Sequence, residues 1–152
     1  RAAVWAGLRR PTVRYPIKLS NALRPFFSVF GFRRDTSYVE LGDTDLQFRY
    51  GTADEVVPLD NIEGVAPRAW PFIYGLGAKI GPDGGVAYVG SLDGVIQIRF
   101  KSPVALNVWG PFRNKKAKCV TVSMVDADGF MSDLNARLSE RRDSPRADSR
   151  PA

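Results

Sequence analysis

The stretch SYVELGDTDLQFRY, residues 37–50, contains two alternating segments on either side of a short polar turn. In the first segment Val39 and Leu41 point to one face, and in the second the matching positions are Leu46, Phe48 and Tyr50. Apolar residues at every second position are typical of half-buried strands. The Gly and Asp residues of GDTD, 42–45, tolerate the backbone angles of a turn. The stretch therefore predicts two strands joined by a tight turn.

Outward from this stretch, short apolar or alternating segments recur, with Gly, Asp or Pro between them. They are EVVPL (55–59), a strand within DNIEGVAPRA (60–69), VIQIRF (95–100) and KCVTVSM (118–124). Residues 101–116 are polar and contain proline, so we expect them to form a long connection. About seven short strands joined by Gly/Asp turns predict a mainly β fold, an antiparallel small barrel or sandwich.

The glycine-rich stretch GLGAKIGPDGGVAYVG, residues 75–90, raises the question of a phosphate-binding loop. Gly75, Gly77 and Gly81 imitate a G-x-G motif. A dinucleotide loop, however, leads into a helix whose N-terminus meets the pyrophosphate. Here PDGG supplies turn residues and VAYV returns as a strand. The stretch therefore predicts a hairpin and no nucleotide cofactor.

The C-terminal part changes from a two-residue to a helical period. One apolar stripe is formed by Phe130, Leu134 and Leu138, and Asp126 or Asp128 is placed to cap the first turn. We expect one helix over about 126–139, which caps the β domain.

Three regions follow from these patterns. Residues 1–34 are expected to form a basic arm that packs on or flanks the domain, and residues 35–139 the domain itself. Residues 140–152 lack any apolar side chain larger than alanine, so a disordered tail is expected there.

The formal charge of +6 is unevenly distributed along the chain. Residues 1–34 carry eight Lys or Arg and no acid, residues 35–94 carry ten acids against three bases, and residues 95–125 carry six bases and no acid. Such a distribution either steers the protein toward anionic partners, or lets the basic segments face the acidic one within the fold.

Four segments together resemble a bacterial pleckstrin-homology-like domain found in uncharacterised actinobacterial proteins. They are SYVELGDTDLQFRYG (37–51), VVPLDNIEGV (56–65), GVIQIRF-x-x-P (94–103) and VTVSMVDADGFMSDL (120–134). The resemblance covers roughly residues 35–139. It implies seven strands in two near-orthogonal sheets and one C-terminal helix, and it specifies the fold far better than the function.

The same resemblance argues against one ligand. Domains of this fold that bind phosphoinositides usually carry Lys and Arg in the loop between the first two strands. Here that loop holds Asp43 and Asp45, whose carboxylates would repel an inositol phosphate.

Enzymatic function is not expected. The chain has no histidine, which removes Ser-His and Cys-His catalysis and histidine-ligated zinc. Cys119 lies in a strand segment without a base partner, and a packed or half-exposed cysteine is expected. Turn formation explains Asp43 with Asp45, and helix capping explains Asp126 with Asp128, so we expect no metal and no cofactor.

Two groups of residues are candidates for binding. RNKKAK follows WGPF, and its bases Arg113, Lys115, Lys116 and Lys118 beside Trp109 are suited to an anionic membrane or to single-stranded nucleic acid. The alternative is a solvated loop with the tryptophan in the core. In WPFIYGLG (70–77) the aromatics Trp70, Phe72 and Tyr74 share one face of a strand, as part of the core or as a contact surface.

These observations predict a non-catalytic binding module. Its first expected partner is another protein or a second copy of the chain, held at an exposed strand edge or an aromatic surface. The alternative is weak binding of an anionic surface by the basic 113–118 loop, with a membrane favoured over nucleic acid. We expect a cytoplasmic protein, peripheral to the membrane in that alternative. The chain starts at Arg1, so a targeting segment upstream stays open.

Overall fold

The structure is a computed structural model that describes residues 11–20, 37–50, 53–69, 77–80, 85–109 and 112–143. These ranges contain nine strands, one α-helix and a 3-10 turn at Leu59–Asn61. The strands are β1 (Val13–Pro16), β2 (Tyr38–Leu41), β3 (Asp45–Tyr50), β4 (Ala53–Pro58), β5 (Ile62–Pro67), β6 (Gly77–Ile80), β7 (Val86–Val89), β8 (Val95–Trp109) and β9 (Phe112–Ser123), and the helix is α1 (Ala127–Asp143).

The first sheet is antiparallel and has the order β1-β2-β3-β4. Its central pair is the stretch 37–50, in which Leu41 lies opposite Leu46 and Val39 opposite Phe48. All four side chains are fully buried. The prediction of two strands joined by a tight turn is confirmed.

The second sheet has the order β5-β8-β9-β7-β6. Its β6–β7 pair is the predicted glycine-rich hairpin, in which Gly77 lies opposite Val89; its turn residues 81–84 lie outside the described ranges. Strands β7 and β9 run parallel, with Val86 opposite Val120. The expectation of an entirely antiparallel fold is therefore wrong for this pair, because apolar alternation reports which face is buried and not which way a neighbour runs.

The parallel pair results from a strand that is inserted late. The chain leaves β7, turns at Gly94, whose φ is 65°, and enters β8 two positions away in the sheet; β9 then returns between them. As a central strand, β9 is buried on both faces from Cys119 to Ser123.

The two sheets pack face to face around aromatic side chains. The ring of Tyr88 lies 5.6 Å from Tyr50 and 6.4 Å from Phe48, centroid to centroid. Among the described strands no hydrogen-bonded pair joins one sheet to the other. The mainly β architecture with one C-terminal helix is confirmed, and the described strands form a sandwich and not a closed barrel.

Helix α1 covers one side of this sandwich with the predicted stripe. Phe130, Leu134 and Leu138 are buried, and Phe130 meets the ring of Tyr15 edge-on at 5.2 Å. Of the two candidate caps, Asp126 is the one used, since its Oδ1 accepts a hydrogen bond from the Gly129 amide at 3.0 Å.

The helix is longer than predicted and ends at Asp143. The disordered tail predicted from residue 140 is therefore wrong for 140–143. The last turn of the helix forms a salt bridge with a residue outside the helix, since the Arg141 guanidinium lies 2.8 Å from the Asp60 carboxylate. That partner is distant in sequence, so a local pattern does not reveal it.

Residues 11–20, which the sequence places in the basic arm, are part of the fold. Val13–Pro16 pair with β2, while Ile17 and Leu19 are buried and form single bridges to Met124 and Gly90. The boundary of the β domain therefore moves from residue 35 to residue 11. Val13, Tyr15, Ile17 and Leu19 do alternate, but Pro16 interrupts the pattern.

Candidate functional site

The candidate site is the long hairpin formed by residues 101–118 of β8 and β9. Strand β5 pairs with β8 only at Ile96–Phe100, and β7 pairs with β9 only at Val120–Val122. Beyond those segments the two strands pair only with each other among the described strands, as far as Trp109 opposite Phe112. The expected connection over 101–116 is therefore wrong, because these residues extend both strands.

A bulge redirects the hairpin where it leaves the sheet. Arg99 lies opposite Cys119 and Val104 opposite Ala117, so β8 advances five positions while β9 advances two. The bulged segment contains Pro103, which has no N–H for a regular ladder. The proline that predicted a connection thus marks a bend within one strand.

The lower part of the hairpin is fixed to the rest of the molecule. The Asn61 side chain accepts a hydrogen bond from the Ser102 amide at 2.9 Å and donates one to the Ser102 carbonyl at 3.1 Å. Leu106 and Ala117 are completely buried, and Val104 packs against the core. The hairpin is therefore anchored through its own apolar residues.

Basic residues follow the hairpin on both strands. Lys116 and Lys118 are exposed on β9, and Arg99 and Lys101 are exposed on or beside the β8 bulge. The backbone register places Arg113 opposite Asn107, with Lys115 two positions further on; the side chains of Arg113 and Lys115 are outside the described set. The predicted basic loop is thus wrong as a loop, and its four bases lie on a strand.

Charge along this part of the chain has one sign. Residues 95–125 hold six bases and no acid, so every charged residue of the hairpin is positive. Arg99 and Lys101 were not among the predicted contact residues. The sequence does contain a pattern that identifies them: Gln97, Arg99 and Lys101 alternate with apolar residues along VIQIRFK, so they share the outward face of the strand.

The predicted aromatic residues divide into two groups. Trp109 ends β8, and its backbone lies opposite Phe112, so two aromatic positions form the last pair of the hairpin. Trp70, Phe72 and Tyr74 lie outside the described residues, and their assignment to a core or to a contact surface stays a prediction.

The residues with catalytic potential have structural partners. Cys119 is buried, and its Sγ lies 3.3 Å from the Gln97 amide nitrogen, which donates to it. Asp43 and Asp45 are exposed on the β2–β3 turn, where Asp45 accepts a hydrogen bond from the Thr44 hydroxyl at 3.0 Å. Within the described ranges, no three His, Cys, Asp or Glu residues come together as metal ligands.

A hydrogen-bond network around Arg137 connects helix α1 to the β2–β3 turn and to Pro11. Its guanidinium donates to the carbonyls of Leu41 (3.1 Å), Gly42 (2.6 Å) and Pro11 (2.9 Å), and to the Asp133 carboxylate (3.3 Å). Asp133 also accepts a hydrogen bond from the Tyr15 hydroxyl at 2.9 Å. Burial and this carboxylate raise the pKa of Tyr15 to about 12.

Comparisons with protein-family models, with curated proteins and with solved structures gave no match to this chain. The fold and the candidate site therefore define its class by themselves: a mainly β sandwich with a C-terminal helix and a basic hairpin. In the part of the chain that the structure describes, no helix is both long enough and apolar enough to cross a membrane.

Proposed function

We propose that this chain is a non-catalytic binding module whose contact surface is the long hairpin and whose ligand carries negative charge. One observation carries the proposal: the hairpin leaves both of its sheet neighbours and brings only positive charges with it. A cytoplasmic, membrane-peripheral location is part of the proposal. The two-sheet fold with its terminal helix supports the resemblance to bacterial pleckstrin-homology-like domains, which we retain as the proposed family.

The charges predict weak and salt-sensitive binding. Each base near an anionic leaflet contributes about 1 kcal/mol, so the exposed bases Arg99, Lys101, Lys116 and Lys118 together contribute about 4 kcal/mol. That free energy alone corresponds to a dissociation constant near 1 mM. Salt shortens the range of each interaction to about 8 Å at physiological ionic strength.

Strand addition by a protein partner is less well supported by the sheet edges. Among the described strands, β1, β4, β5 and β6 lie at the sheet edges. Three of them contain a proline, namely Pro16, Pro58 and Pro67, which removes an N–H that a partner strand would use. A protein partner bound through the aromatic residues of 70–77 remains the second candidate.

The proposal is tested by neutralising Lys116 and Lys118 together, as the double variant K116Q/K118Q. The probes are vesicles of phosphatidylcholine and phosphatidylserine, and a single-stranded oligonucleotide, each titrated at increasing salt. Loss of about 2 kcal/mol predicts roughly 30-fold weaker binding to whichever probe the protein prefers.

Arg142→Glu is the matched control, because it changes the net charge by the same two units. Arg142 is exposed in the last turn of α1 and lies outside the segment 99–118, so its reversal should change binding less than about twofold. If both variants lose the same affinity, the loss is explained by net charge alone, and the hairpin is not the binding site. Absence of binding to either probe at low salt would overturn the proposal altogether.

A further inference from the structure

The order of residue types along the long hairpin points to one kind of anionic ligand. The hairpin ends in the pair Trp109–Phe112, the next pair inward is Asn107–Arg113, and the remaining bases follow toward the sheet. Along the backbone, the two aromatic positions are therefore the outermost of the described pairs, and the basic positions lie behind them. This separation along one axis is the observation from which the inference starts.

We infer that the hairpin binds the interface of an anionic lipid bilayer, with Trp109 and Phe112 at the level of the lipid headgroups and the bases in contact with lipid phosphates. This inference rests on the proposed function and adds the class of ligand. Tryptophan favours the membrane–water interface, where the apolar ring and the polar N–H are both accommodated. Lys and Arg act through the negative surface potential of the leaflet.

The reach of the hairpin suits contact with a flat surface. Leu106 is buried and fixes the base, and Trp109 lies three residues further along β8. At about 3.3 Å per residue, the backbone of the aromatic pair lies about 10 Å beyond Leu106 along the strand. Exposed Lys116 lies on the tip side of the bulge, and exposed Lys118 lies within it, between Ala117 and Cys119.

The same order argues against single-stranded nucleic acid. Proteins that bind it interleave aromatic and basic residues over a groove or sheet face, so that successive bases stack along the protein. Here both aromatic positions fall in one strand pair at one end of the hairpin. One aromatic pair offers a single contact point, which is sufficient for a lipid surface but not for the successive bases of a nucleic-acid strand.

The test compares W109A/F112A with the wild-type protein on vesicles containing phosphatidylserine. Loss of the aromatic pair should weaken vesicle binding at least about tenfold and leave oligonucleotide binding unchanged. Leu92→Ala is the control, because Leu92 is a partly exposed apolar residue in the turn before β8, at the other end of that strand. Because the base of the hairpin is anchored by other residues, we expect the wild type, W109A/F112A and Leu92→Ala to unfold at the same thermal midpoint.

A second measurement reports directly how deep the hairpin tip lies in the bilayer. A polarity-sensitive dye at Phe112→Cys in a Cys119→Ala background should be quenched by brominated lipid, while the dye at Leu92→Cys in the same background should not. This readout remains available if the double alanine variant folds poorly.

The outcomes separate the two proposals. Unchanged vesicle binding by W109A/F112A, or no quenching at position 112, overturns the lipid inference and leaves the basic hairpin in place if K116Q/K118Q still weakens binding. Tighter binding to the oligonucleotide than to vesicles at equal salt, lost in W109A/F112A, would assign nucleic acid instead. Normal binding by K116Q/K118Q would overturn the proposed function itself.

Discussion

Gly85 shows how closely the second sheet is packed. A Cβ atom added to Gly85 would lie 2.6 Å from the carbonyl oxygen of Cys119 and would also collide with the Cys119 sulfur. Because the backbone carbonyl is part of the β9 ladder, it cannot move away without disturbing the sheet. The glycine is therefore required by close backbone approach and not by an unusual φ angle.

We predict that Gly85→Ala lowers the free energy of unfolding by about 1–3 kcal/mol, the usual cost of overpacking. Gly64→Ala is the control, since a Cβ there meets nothing within 4 Å and its φ is not positive. It should change stability by less than about 0.5 kcal/mol. Urea unfolding of both variants decides the matter, and equal stabilities would contradict the packing argument.

At the scale of elements, Arg137 connects parts that are far apart in the chain. It lies on α1, is 4% exposed, and its donors reach the β2–β3 turn and the carbonyl of Pro11. Three buried or half-buried carbonyls and one carboxylate thus depend on a single guanidinium. The planar fork of donors makes arginine suited to this position, and lysine would not replace it.

We predict that Arg137→Met destabilises the protein by about 3 kcal/mol, since it leaves carbonyls and Asp133 without their donor. Arg142→Met, on the exposed side of the same helix, should cost less than about 0.5 kcal/mol. Chemical unfolding monitored by circular dichroism measures both. A small loss for Arg137→Met would mean that water replaces the guanidinium.

Elements with a local signature could be predicted from the sequence. The alternation of 37–50 and the stripe of Phe130, Leu134 and Leu138 are contained in neighbouring residues, and both elements form as predicted. Strand β1 and the extension of β8 were not predicted as strands, because Pro16 and Pro103 read as breaks; Pro16 is the last residue of β1, and Pro103 lies inside β8.

The candidate site could be predicted only in its composition. The bases of 113–118 were identified because they are adjacent in the chain. The β8–β9 register places these bases on a strand and brings Arg99 and Lys101 beside them. That register is a long-range property, which a local pattern does not reveal. The Arg141–Asp60 contact that extends α1 has the same long-range origin.

At the scale of the whole molecule, two tyrosines connect stability to alkaline pH. Burial, followed by the hydrogen bond to Asp133, raises the pKa of Tyr15 to about 12, and burial between the sheets raises the pKa of Tyr50. In the unfolded chain tyrosine titrates near 10. A raised folded-state pKa contributes stability that is complete below pH 10 and is lost as the pH rises toward 12.

We therefore predict that the free energy of unfolding falls between about pH 10 and 12, and that Tyr15→Phe weakens this fall. At pH 8 the variant is the less stable protein, because it lacks the hydrogen bond to Asp133. Its deficit should shrink as the pH rises, because phenylalanine does not ionise. Urea midpoints of both proteins at pH 8, 10 and 11 provide the comparison, and a constant deficit would assign the alkaline loss to other groups.

The parallel pairing of β7 with β9 has a consequence for the order of assembly on the ribosome. The β6–β7 hairpin emerges more than thirty residues before its permanent neighbour, since Val86 pairs with Val120. Until residues 120–122 leave the exit tunnel, β7 keeps an open edge and the second sheet lacks its central strand. Non-local pairing of this kind is slow and prone to aggregation. Translation that pauses within the long hairpin would therefore prolong the most vulnerable stage of folding.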